Sequence, residues 1–144
     1  MAVRRRLFVG FIFLAITGSL SGCQSAFNWG ESSPRIDDSD VVGTWIADGP
    51  DGLEATVLFS ANGTAILSGL PSNLTDPWAS EPDWSTTVDG EADWHLWTQP
   101  SGVTSVQLSD FESMVVMEDA DGLHLAAYVG DPDARIRVVF DQTD

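Results

Sequence analysis

The sequence predicts an all-β domain, a small antiparallel up-and-down meander that closes into a barrel or half-barrel. Three observations carry this. Apolar residues recur with period two from Val41 onward. Turn chemistry punctuates the chain at short intervals, at Asp48-Gly49-Pro50-Asp51-Gly52, Asn62-Gly63, Asp121-Gly122 and Gly130-Asp131-Pro132-Asp133. No segment of this region carries a helical stripe of useful length. About eight short strands in roughly 100 residues, joined by hairpins, suit a sheet that curls on itself. A chain of that size buries enough surface for its own core.

The elements follow in order. Val41-Val42-Gly43-Thr44-Trp45-Ile46 opens the first strand. In the second, Leu53, Ala55, Val57 and Phe59 share one face. Asn62-Gly63 is a strong two-residue hairpin signal, and Thr64 to Leu70 returns from it. Residues 71–90 form a long polar insertion with prolines, Trp78 and Trp84. Ala92 to Trp97, Val103 to Leu108, Phe111 to Met117, Leu123 to Val129 and Ala134 to Phe140 read as the remaining strands. Trp94 and Leu96 face the core, and His95 and Trp97 point the other way.

The segment before this domain has a different character. Arg4, Arg5 and Arg6 precede an apolar run from Leu7 to Ile16. That run is too short for a bilayer, which needs about 20 residues. Small and polar residues follow, then Leu20-Ser21-Gly22-Cys23. This is the layout of an export signal. The terminal cysteine marks it as a lipoprotein signal peptide over 1–22, cut before Cys23, whose thiol then carries a diacylglycerol. Two acyl chains anchor stably where one is marginal. Arg5-Arg6-Leu7-Phe8-Val9 also resembles a twin-arginine export motif, which implies folding before export. Residues 23–40 are polar and aperiodic, a flexible tether spanning roughly 20–25 Å. Phe27 and Trp29 within it either dip into the membrane interface or dock on the domain. Residues 41–144 are the folded domain.

Charge narrows the partners. From Cys23 onward three arginines stand against 22 acids, a net charge of −19, and the chain has no lysine. Such a field repels nucleic acid, so nucleic-acid binding is not expected. Cys23 is the only cysteine, so an acylated Cys23 leaves no thiol for a disulfide.

Gly43-Thr44-Trp45 resembles the Gly-x-Trp opening of lipocalin-like barrels. The wider order is similar to small uncharacterised lipoproteins of actinobacteria. It runs from Val-Gly-Thr-Trp through Ala-Asn-Gly-Thr-Ala and Trp94 to Gly-Asp-Pro-Asp before Val138-Val139-Phe140. The resemblance covers about residues 41–141. It implies that Trp45 plugs the closed end and that Arg135 or Arg137 packs across it by cation–π contact. It implies no activity, and the absence of a C-terminal helix and of a disulfide pair departs from a full lipocalin.

Catalytic patterns are weak. His95 and His124 sit in strands without the close spacing of zinc ligands. Asp119-Ala120-Asp121-Gly122 and Asp131-Pro132-Asp133 resemble fragments of calcium loops but lack the terminal glutamate. No Gly-x-Ser-x-Gly elbow occurs, and Glu112 and Glu118 are a carboxylate pair of the kind an acidic chain yields by chance. No enzyme activity, cofactor or metal is expected. The tryptophans are the better lead. Trp78, Trp84 and Trp97 are candidate contacts for a ligand or partner, and Trp78 and Trp84 equally suit folding down to cap an open barrel end. The expected role is a membrane-anchored, extracytoplasmic binding module for a small apolar or carbohydrate ligand or a protein partner. The competing expectation is a structural or assembly component of the envelope without a ligand.

Overall fold

The computed structural model describes residues 35–143. The signal peptide, Cys23, Phe27, Trp29 and most of the tether lie outside them. The described chain is a closed eight-stranded antiparallel barrel in which each strand pairs with its sequence neighbours and the last pairs with the first. The strands are β1 (Gly43–Asp48), β2 (Glu54–Phe59), β3 (Thr64–Pro71), β4 (Thr87–Thr98), β5 (Thr104–Leu108), β6 (Met114–Asp119), β7 (Gly122–Tyr128) and β8 (Arg137–Thr143). Closure places Thr44 opposite Thr143, Trp45 opposite Gln142 and Ile46 opposite Asp141.

Period-two patterning builds the core. In β2 the buried positions are Ala55, Val57 and Phe59, and the alternates face out. Large side chains from around the ring meet on the axis: Trp45, Phe59, Leu67, Met114, Leu125 and Phe140 are all fully buried. Inward alanines at 47, 55, 65, 92 and 127 make room for them. Phe59 and Trp94 pack edge to face, with ring centroids 5.3 Å apart. Eight strands enclose a lumen just wide enough for side chains to fill, and here they fill it.

Several elements differ from the sequence reading. The first strand begins at Gly43, because Asp38–Val41 winds into one helical turn whose Asp40 carboxylate accepts from the Asp37 amide at 2.8 Å. Asn62-Gly63 ends a four-residue loop instead of forming a two-residue turn. The Asn62 side chain accepts from the Thr64 amide and hydroxyl, and the Gly63 amide donates to the Ser60 carbonyl. The insertion is shorter than 71–90, since β4 already begins at Thr87. Phe111 lies in a loop, and β6 starts at Met114. Pro132–Ala134 forms a 3-10 turn, so β8 starts at Arg137.

The barrel has two poles. At one lie the helical turn, loops 60–63, 99–103 and 120–121, and the plug Trp45, whose Nε1 donates to the Val41 carbonyl at 2.8 Å. At the other lie loops 49–53, 72–86, 109–113 and 129–136. Loop 72–86 folds across this second pole and caps it. Leu74 is buried in the core, and Trp84 packs against it. Trp84 covers Gly49 so closely that a Cβ there would stand 2.7 Å from its ring. The Ala79 carbonyl presses on Gly130, where a Cβ would sit 1.9 Å away.

Candidate functional site: a cleft and an exposed tryptophan at the capped pole

A bulge shapes the site. Between Leu67 and Leu70 the β3–β4 register slips, with Leu67 opposite Gly90 and Leu70 opposite Val88. The extra residue sits around Gly69, whose amide donates to Asp89 Oδ1 at 2.7 Å. The bulge bends the end of β3 and turns both Leu70 and Pro71 inward, where both are buried. Loop 109–113 approaches from the far side. Asp110 holds a left-handed backbone, φ 62°, and the Phe111 ring comes down on Gly90, within 2.8 Å of where a Cβ would stand.

Between these walls lies a cleft of about 310 Å³. Leu70, Leu74, Val88, Phe111 and Met114 supply its apolar surface, and Asp89, Asp110 and Glu112 its carboxylates. Asp89 is engaged by the bulge. Among the described residues, Asp110 and Glu112 have no side-chain hydrogen bond or ion pair. The cleft therefore offers an apolar wall beside uncompensated negative charge, outside the packed lumen. Sequence reading missed it. Its signals were the break of alternation at Gly69-Leu70-Pro71 and the aromatic flanked by acids at Asp110-Phe111-Glu112.

Loop 72–86, which supplies Leu74 to the cleft, presents Trp78, which is 90% exposed. The loop is nonetheless held firmly. Asn73 Nδ2 donates to the Glu81 carbonyl at 2.8 Å, and Asn73 Oδ1 accepts from the Asp83 amide at 2.8 Å. Ser72 and Thr86 are joined by a backbone hydrogen bond of 2.9 Å. Asp76 Oδ1 accepts from the Trp78 amide at 2.9 Å.

The three candidate tryptophans do not converge. Trp84 is a cap over Gly49. Trp97 is half-exposed on the outer face of β4, near the plug pole. Only Trp78 stands free at the capped pole. The arginine stacking implied by the resemblance meets the register of β8: Trp45 pairs with Gln142, while Arg137 pairs with Tyr128. Five residues of strand separate them, about 17 Å, and Arg135 lies further still, in loop 129–136. Arg137 and Trp45 are at opposite poles. Gly43 lies instead under Gln142, whose Nε2 donates to the Val42 carbonyl at 3.2 Å.

The histidines separate too. His95 is exposed on β4. His124 on β7 is bracketed by Asp119 and Asp141, one carboxylate on each ring nitrogen. Ligands on opposite ring nitrogens cannot share one ion, and among the described residues no group of three His, Cys, Asp or Glu side chains could hold a metal. The hydrogen bonds to Asp119 and then Asp141 hold the His124 pKa above the ordinary imidazole value, and the His124 contact lowers that of Asp119. The calcium-like fragments fold on themselves: Asp119 Oδ1 accepts from the Asp121 amide, and Asp131 Oδ1 from the Asp133 amide. Glu112 precedes β6 at the capped pole, and Glu118 lies within β6 near its other end.

No family model, curated protein or solved structure matches this chain.

Proposed function

We propose that this chain is an exported lipoprotein, held to a membrane through Cys23, whose barrel docks a protein partner at the capped pole. The observation that carries the reading is Trp78, 90% exposed on a loop pinned through Asn73. An aromatic held rigidly in solvent loses little entropy when a partner covers it, which suits an interface anchor. The packed lumen argues in the same direction, because Trp45, Phe59 and Phe140 occupy the volume that a small apolar ligand would need. The lipid-anchored address rests on the arginines, the apolar run and Leu20-Ser21-Gly22-Cys23. The Gly43-x-Trp45 plug within an eight-stranded ring supports a lipocalin-like ancestry with a filled interior. The described chain enters at the plug pole, so the docking pole is the one remote from the anchor.

Two measurements test this. Cys23→Ala is expected to release the protein from the membrane fraction, and unchanged partition overturns the anchor. A photo-crosslinking residue at position 78 is expected to give a discrete adduct in cells that the same residue at position 97 does not. Equal adducts at both positions, or none at 78, overturn the docking pole.

A further inference from the structure

Resting on that reading, we infer that the cleft beside the bulge receives a basic side chain of the partner, a lysine or arginine. Its lining combines the two chemistries that such a residue carries. Leu70, Val88, Phe111 and Met114 form an apolar wall for an aliphatic stem. Asp110 and Glu112, without side-chain partners among the described residues, line the same cleft and offer carboxylates to a cationic head, as does Asp89. The Phe111 ring adds a face for the charge. About 310 Å³ lies at the small end of ligand sites, room for one long side chain and its water.

The occupant follows from charge. An anionic or neutral group leaves the two carboxylates desolvated and unpaired, which costs free energy; a cation pairs them. A second copy of this chain is a poor source, since its mature part has three arginines, no lysine and a repulsive charge of −19 built from 22 acids. The occupant therefore belongs to a different, basic protein. The acidic net charge would also speed the approach of such a partner.

The test uses the full lipidated chain in an uncharged detergent, followed by amide NMR. The probes are N-acetyl-lysine amide and its neutral counterpart N-acetyl-norleucine amide. The lysine probe is expected to shift the amides of Asp89, Asp110 and Phe111, with a Kd on the order of 1–10 mM. The norleucine probe should bind about 3- to 10-fold more weakly. D110N/E112Q keeps side-chain shape, and asparagine tolerates the left-handed backbone at 110. It is expected to erase the preference. Added salt should weaken the lysine probe and spare the neutral one, a readout independent of any variant. Equal binding of the two probes, or no shift at the cleft with either, overturns the inference. If the cleft ignores lysine while the adduct at position 78 persists, the docking pole stands and this assignment falls. If lysine binds with the expected preference and no adduct forms, the cleft stands and the docking reading falls.

Discussion

His124 Nδ1 and Asp141 Oδ1 meet at 2.5 Å across the β7–β8 pair. The other ring nitrogen lies 2.9 Å from Asp119 Oδ1, at the end of β6. Only the protonated ring can donate to both carboxylates at once. The imidazolium thus ties three consecutive strands on the outer face of the barrel.

That clamp predicts a pH dependence with a definite sign. His124 has its pKa raised, chiefly by Asp119, so its contribution is complete below the unfolded value near 6.5 and fades as pH rises through the folded one. Asp119 has its pKa lowered by His124, so its contribution holds above about 3.9 and fades as pH falls through the folded value. The clamp is strongest between these limits. Thermal melts of the native chain against His124→Gln are expected to differ most near pH 5 and to converge as pH rises through the raised folded value of His124. A constant difference across that range contradicts the clamp.

Trp45→Phe keeps most of the plug but removes its N–H. The Val41 carbonyl, on a fully buried residue, then loses its 2.8 Å partner. The expected loss is about 1–3 kcal/mol, read by urea denaturation. A neutral result would mean that water replaces the indole.

Gly130→Ala strikes the cap. Gly130 has φ 69°, and a Cβ would press into the Ala79 carbonyl. Backbone cannot yield as a side-chain tip does. We expect a loss of about 1–3 kcal/mol, together with faster proteolysis within residues 76–81. Loss of stability with unchanged cleavage would separate the strain at 130 from the docking of the loop.

Asn73→Ala removes the two side-chain hydrogen bonds that Asn73 makes across the loop. Each is worth about 1 kcal/mol. Faster amide exchange at Asp83 is expected, with the barrel strands protected as before. An unaltered Asp83 amide would show that Trp84 and Ala79 hold the loop unaided.

The strands were legible where side chains alternate between core and solvent, as at Ala55, Val57 and Phe59. They were obscure where the outer face is polar and the partner strand supplies the order. Thr87, Val88 and Asp89 read as loop, yet β3 draws them into β4. Leu53 fits the apolar face of its strand by period but lies before β2, 43% exposed. The helical turn at Asp38–Val41 was invisible, because four residues carry no periodicity. Trp78 and Trp84 read alike from the sequence, as contacts or as caps, and only the fold separates them, leaving Trp78 exposed and laying Trp84 on Gly49. The His124 clamp could not be read from spacing, since Asp119 and Asp141 lie 5 and 17 residues away and meet it only through strand register. The cleft depends on a one-residue slip, which no composition reveals.

The ring is not equally strong around its girth. β6 and β7 share six paired positions, but β5 and β6 share only two, Ser105 with Val115 and Val106 with Met114. A closed sheet hides every backbone row from neighbouring molecules. Heat or mechanical pull would unzip it first at this short join, baring two raw edges on which other copies could polymerise.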